Sequence, residues 1–218
     1  MIYLRRIYGR FLRLLKGLVT AFALVCLSAS GAAASEATGL VEAFHENLLT
    51  TMQNAKVWGF EKRRDYLSGP VRVTFNSGIM VRLASGPNWK KFSDQQKADL
   101  TETFYQFSLA TYASRFKGYS GQQFVTIEEI PMRKGRVLVS TKLVKAKGDE
   151  IMIGYVVNPN GDGSYQVIDI YLKGKHSELA QRRSEFSPII RDQGFTGLLS
   201  LLKQKVLNLE AEALEAAE

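Results

Sequence analysis

The residues of this chain that could carry chemistry are few and scattered. Asn158, Asn160 and Asp162 alternate ahead of Gly163 and imitate the opening of a calcium-binding loop, where spaced oxygen ligands surround a hard cation. The match then fails: Pro159 intrudes, Asp169 stands where a bidentate glutamate is required, and strand patterns flank the loop. Turn chemistry predicts a plain hairpin there. The two histidines, His45 and His176, have no HxxxH or HExxH spacing that would build a zinc site, and solvated or capping roles are expected for both. Ser120, in Gly118-Tyr119-Ser120-Gly121-Gln122, just misses the GxSxG nucleophile elbow and sits between a helix pattern and a strand pattern. Asp169 could serve as an inward acid or base, although a structural hydrogen bond or salt bridge is the stronger expectation. No catalytic set, metal site or cofactor motif emerges.

The remaining chemistry is apolar. In the stretch Ser93 to Lys117, Leu100, Phe104 and Phe107 form one stripe. Tyr105, Leu109, Tyr112 and Phe116 form a second, turned around the helix axis. A helix apolar on more than one side is either buried all round or faces a cavity. On the last long strand pattern, Ile168, Ile170 and Leu172 alternate onto the face expected to meet the helices. On the strand before it, Ile151, Ile153, Tyr155 and Val157 share one face, and Met152, Gly154 and Val156 the other. Both faces are apolar enough to expect cover on each side. Periodicity alone leaves ordinary core and an apolar ligand pocket both open.

The elements that must position these residues divide into two groups. Leu40, Phe44, Leu48 and Met52 recur every four residues, as on one helix face. A broken region follows, punctuated by Gly69-Pro70 and Gly86-Pro87, with a short helical piece over Ser77 to Ser85. Ser93 with Gln96 reads as a capping box opening a helix that Gly118 ends. Strands are expected over Gln122 to Ile130, Arg136 to Lys145, Glu150 to Val157 and Ser164 to Lys173, joined by short turns as an antiparallel meander. Ser177 to Asp192 and Thr196 to Glu215 read as helices separated at Gly194. The fold class is therefore α+β, with helices packed on a curved antiparallel sheet in a cone-shaped arrangement.

Residues Met1 to Ala34 read as a secretory signal peptide. Arg5, Arg6, Arg10, Arg13 and Lys16 form its basic head, Leu18 to Leu27 an apolar run, and Ala32-Ala33-Ala34 a small-residue cleavage site. The apolar run is far shorter than the roughly 20 residues that span a bilayer. Val25 before Cys26 is not a lipoprotein pattern, so a free secreted protein is expected. The net charge of +8 comes from 29 basic and 21 acidic residues; removing the leader's five leaves 24 against 21, or +3. That balance gives no reason to invoke nucleic acid. The lone Cys26 leaves with the leader, so residues 35–218 hold no thiol and must be stabilised by a packed core, as one domain. The clusters Lys62-Arg63-Arg64 and Arg182-Arg183 are expected as solvated helix faces or as docking points for an acidic surface.

From Tyr165 to Lys205 the chain resembles the MlaC family of periplasmic phospholipid-transport proteins, also called toluene-tolerance proteins. The residues that carry the resemblance begin with Tyr165-Gln166-Val167-Ile168-Asp169-Ile170, followed by Gly174 and Gln181-Arg182-Arg183-Ser184-Glu185-Phe186. Ile189-Ile190, Gly194 and Gly197-Leu198-Leu199 complete them. Phe75 to Gly86, Trp89, Ser93 to Gln96 and Phe104 to Tyr112 agree with the family's helical segments. Ala113 to Phe124 is most similar to the hopanoid-associated HpnM branch.

The resemblance implies a nuclear-transport-factor-two-like α+β cone with an apolar cavity between helices and sheet. It further implies a non-enzymatic shuttle that carries phospholipid or hopanoid. Its expected partners are an inner-membrane ABC transporter complex and an outer-membrane lipoprotein complex, and a monomer is expected. The family has no catalytic set to transfer, so the lipid-binding residues follow from face assignment. They are Leu100, Phe104, Phe107, Tyr112 and Phe116 on the helix, with Ile153, Tyr155, Ile168, Ile170 and Leu172 on the strands. The sequence also admits two rival functions: a secreted enzyme using an inward Asp or Tyr on an apolar substrate, and an adaptor whose cavity is filled by its own side chains.

Overall fold

A computed structural model describes residues 35–215. The expected leader, with its cleavage site and Cys26, lies outside the described residues. Helix α1 (Glu36–Gln53) starts at Ser35, whose hydroxyl accepts the Thr38 amide at 3.2 Å. It buries Val41, Phe44, Leu48 and Met52, the expected stripe with Val41 in place of half-buried Leu40. Helix α2 (Phe60–Thr74) runs straight through Gly69-Pro70, where the sequence suggested a break. Proline disfavours helical geometry in the residue before it chiefly through that residue's Cβ and N–H, and Gly69 has no Cβ. Complete burial of Leu67 and Val71 outweighs the lost proline donor.

Helix α3 (Ser77–Ser85) has the bounds the sequence suggested, with Asn76 accepting the Ile79 amide at 2.9 Å. Gly86, at φ +60°, turns the chain into a short 3-10 segment, Gly86–Lys91. Helix α4 (Asp94–Arg115) opens with the capping box in full: the Gln96 amide donates to the Ser93 hydroxyl, and the Ser93 amide to Gln96 Oε1.

Strands β1 (Gln123–Pro131), β2 (Val137–Val144), β3 (Glu150–Pro159), β4 (Tyr165–Leu172) and the short β5 (His176–Ser177) pair in sequential antiparallel order. Helix α5 (Glu178–Glu215) follows, broken at Gly194, where φ is +64° and ψ −151°. Among the described residues, five α-helices on an antiparallel sheet make the expected α+β architecture. Register shifts at Thr126/Glu128 in β1 and opposite Val156/Val157 in β4 insert single-residue bulges, which bend and twist the sheet. Val139, Val157 and Val167 on the inner face pack with Phe44, Leu67, Leu100, Phe186, Leu198 and Leu202 in one continuous core.

Three expectations need correction. The outer face of the sheet is covered only in part: Val156 is buried and Gly154 is closed off by Leu138 and Tyr171 of its neighbouring strands, whereas Val125, Ile130 and Met152 are exposed. Arg63 is buried rather than solvated; its guanidinium donates to the carbonyls of Ala113 (2.9 Å) and Trp58 (2.5 Å), and burial lowers its pKa. Arg182 is also withdrawn from solvent, between Glu178 at 3.6 Å and Glu185 at 3.3 Å, while Arg183 is exposed as expected. No helix among the described residues is long and apolar enough to cross a membrane.

Two glycine substitutions should have opposite signs. At Gly194 the backbone lies where L side chains are strained, so Gly194→Ala should lower stability by about 1–3 kcal/mol. Gly39 is helical and an added Cβ meets nothing within 4 Å, so Gly39→Ala should raise it by about 0.5–1 kcal/mol. Urea unfolding measures both, and a loss of stability in both variants would contradict the backbone assignment.

Candidate functional site

A cavity of about 400 Å³ lies between the helices and the inner face of the sheet. Helix α4 supplies one wall through Phe104, Phe107, Ser108, Thr111, Tyr112 and Arg115, which recur at three- and four-residue spacing on one face. The sheet supplies the other through Leu143, Ile151, Ile153, Tyr155, Ile170 and Leu172. Met52, Phe75 and Met80 close the inner end, and Glu178, Leu179 and Arg182 at the start of α5 close one side. Two surface grooves of about 490 Å³ are lined chiefly by polar residues. Apolar lining rather than size distinguishes the cavity.

The polar side chains within this wall are mostly neutralised. Ser108 and Thr111 donate their hydroxyls to the carbonyls of Phe104 and Phe107, one turn back, at 2.9 and 2.8 Å. Glu178 and Arg182 form an ion pair of low exposure, and Arg182 lies 4.7 Å from the centre of the Phe107 ring. The Tyr155 hydroxyl meets Nε2 of His45 at 3.1 Å. Burial pushes the Tyr155 phenol well above its ordinary pKa and lowers the His45 imidazole to about 4. Tyr112 is also raised, by burial first and by Tyr155 and Glu178, against the opposing charge of Arg115. Both phenols are neutral across the physiological range, as is the imidazole. Asp169 stands outside this wall and caps α5: its carboxylate accepts the Leu179 amide at 3.1 Å and the Ser177 hydroxyl at 2.6 Å.

Aromatic rings hold the walls apart. Phe75 and Tyr112 stack at 5.4 Å, Tyr112 and Phe116 at 5.9 Å, and Phe44 meets both Phe75 and Tyr112 edge-on at 5.0 Å. Phe116 leads to Phe124 on β1, which stacks on His45 at 4.0 Å. His45 is therefore a buried link between α1 and the sheet, not the solvated or capping histidine expected; His176 is exposed.

Of the residues assigned by face, Phe104, Phe107, Tyr112, Phe116, Ile153, Tyr155, Ile170 and Leu172 come together around the cavity. Leu100 does not: it lies one turn too near the start of α4 and is fully buried in the core. Ile168 does not either. It is the extra residue of the β4 bulge, so Val167 rather than Ile168 stands opposite Val157 on the inner face. Met52, Phe75 and Met80 went unassigned because nothing in their local spacing brings them to α4. Ile151 carried the inner-face signal of its strand. Among the described residues no group of three His, Asp or Glu side chains is placed to hold a metal ion, and Asn158 to Gly163 form a hairpin turn closed by Asn160 and Ser164.

Comparison with known proteins gives two findings. A family model described as MlaC protein matches residues 42–204, three quarters of the chain. A phospholipid-binding protein from Ralstonia solanacearum, solved in complex with a phospholipid, superposes with a TM-score of 0.69 at 17% identity, covering 79% of this chain and 98% of that one. At that identity the superposition shows a shared fold. Curated proteins give no match.

The buried His45 makes stability depend on pH in a defined direction. Its folded pKa of about 4 lies below the ordinary 6.5, so the unfolded chain binds the extra proton between those values. Stability from this residue is complete above pH 6.5 and falls by about 3 kcal/mol as pH drops towards 4. His45→Gln should remove that part of the dependence in urea unfolding measured from pH 7.5 to 4.5. An unchanged slope in the variant would contradict the account.

Proposed function

The chain belongs to the MlaC family, and on that basis we propose that it is a lipid carrier that holds acyl or polycyclic hydrocarbon in the cavity between α4 and the sheet. The carrying observation is an apolar interior most of whose polar groups are already satisfied, open at one end to solvent. A pocket of this size and lining suits hydrocarbon. Burial is worth about 0.8 kcal/mol per methylene, so a chain of about fourteen methylenes gains on the order of 10 kcal/mol on leaving water. That gain needs no bond to be made or broken, and it tolerates variation in the tails. The phospholipid bound by the Ralstonia solanacearum protein supports the same use of a shared fold.

The further parts of the proposal rest on family membership and on the sequence. After removal of residues 1–34 the protein works in the periplasm as a monomer, moving lipid between an inner-membrane ABC transporter complex and an outer-membrane lipoprotein complex. The resemblance of Ala113 to Phe124 to the HpnM branch supports a hopanoid as a cargo alongside phospholipid. A carrier suits the site better than an enzyme, because the phenols at the wall and the imidazole bonded to Tyr155 behind it are neutral, and the Glu178 carboxylate is paired with Arg182.

Filling the cavity tests the proposal. Ser108→Trp places an indole into it from the half-buried face of α4, whereas Arg183→Ala changes an exposed side chain outside it. Displacing about two methylenes should weaken lipid retention about ten-fold in Ser108→Trp, with Arg183→Ala unchanged. Retention is read by mass spectrometry of lipid extracted after loading from vesicles, on variants with wild-type circular dichroism. Equal retention by the two would place the lipid elsewhere.

A further inference from the structure

The open end of the cavity has a chemical character different from its interior. Among the residues that line it, three are exposed, Arg115, Gly118 and Lys145, and these mark the mouth. Two of the three are cations. Arg115 is the last residue of α4, and Lys145 follows the last residue of β2, so ordered elements on opposite walls bring both to the rim. Neither forms an ion pair among the described residues. The contrast with the third cation of the lining is informative. Arg182 sits between Glu178 and Glu185, and Glu185 also takes Lys205 at 2.6 Å, so that chain of four groups is balanced.

A second feature points the same way. The Tyr112 hydroxyl borders the cavity and has no hydrogen-bond partner among the described residues. It is close enough to Arg115 for that charge to act on it. A neutral phenol is a ready donor to an ester or phosphate oxygen. Most of the remaining lining is hydrocarbon. The site thus offers an apolar interior, one free hydroxyl and, at the mouth, two uncompensated positive charges.

We propose that Arg115 and Lys145 form a recognition site for an anionic headgroup, so that net-anionic phospholipids are retained in preference to zwitterionic ones. This rests on the carrier function proposed above and adds the class of headgroup to it. The two cations attract the phosphate, and they repel the ammonium that a zwitterionic headgroup places beyond it. The interaction is solvent-exposed, so it is modest and salt-sensitive. It acts as a bias on which lipid is kept, while the hydrocarbon supplies the affinity.

The test is competitive loading from vesicles containing equal phosphatidylglycerol and phosphatidylcholine with the same acyl chains. Lipid in the recovered protein is quantified by mass spectrometry. At low salt the wild-type protein should be enriched about five-fold in phosphatidylglycerol. Arg115→Gln with Lys145→Gln should bring the ratio to that of the vesicles while total lipid per protein stays the same. Lys117→Gln with Lys147→Gln removes the same charge at exposed positions outside the cavity lining and should keep the enrichment. An even ratio in the wild-type protein, or enrichment that survives loss of Arg115 and Lys145, overturns the headgroup site. So does unchanged lipid composition combined with slower delivery to an acidic partner protein, which would make the two charges a docking surface. Calorimetric binding of inorganic phosphate to lipid-free protein as tightly as the loaded lipid would mark a free-anion site and also overturns it. Absence of both lipids from the protein is a different result: it overturns the headgroup site together with the carriage of phospholipid on which it rests.

Discussion

The structure depends on keeping two apolar walls apart in water, where burial of hydrocarbon drives them together. A belt of rings does this. Phe44, Phe75, Tyr112, Phe116, Phe124, His45 and Tyr155 touch in succession and tie α1, the α2–α3 junction and α4 to β1 and β3. Rings are stiff, with few torsions to collapse, and their edge-on and stacked contacts fix spacing as well as adding affinity.

The polar members of the belt are what make it specific. The His45–Tyr155 hydrogen bond is made between two neutral groups, each held so by burial. A charged imidazole in that place would carry a desolvation cost with no carboxylate to offset it. The hydroxyls of Ser108 and Thr111 are turned onto carbonyls of their own helix, so the wall that α4 presents stays apolar in spite of them. Charge is confined to the Glu178–Arg182 pair and the mouth. The site is thus divided into a dry interior for tails and a wet rim.

Much of this was legible in the sequence, and the failures have identifiable causes. The meander, the Ser93 capping box and the break at Gly194 each follow from local rules, and the structure contains them. Helical periodicity placed Phe104, Phe107, Tyr112 and Phe116, and strand alternation placed Ile153, Tyr155, Ile170 and Leu172, around one space. Alternation misplaced Ile168 because a bulge resets the parity of a strand and leaves no mark in its composition. Helical phase placed Leu100 on the right face but could not say how far along α4 the cavity extends. Gly69-Pro70 reads as a break because the local cost of proline is visible in the sequence while the burial of Leu67 and Val71 that overrides it is not. His45 and Arg63 looked solvated because a polar residue's partner at long sequence separation, Tyr155 or Ala113, is invisible to spacing.

The central claim is that the cavity carries lipid, and native mass spectrometry of the wild-type protein tests it most directly. Protein released from its own cells without detergent and sprayed from volatile buffer should show a mass increment of one bound lipid, lost on collisional activation as a free phospholipid or hopanoid. Repeated recovery of folded protein at the bare chain mass would contradict the claim.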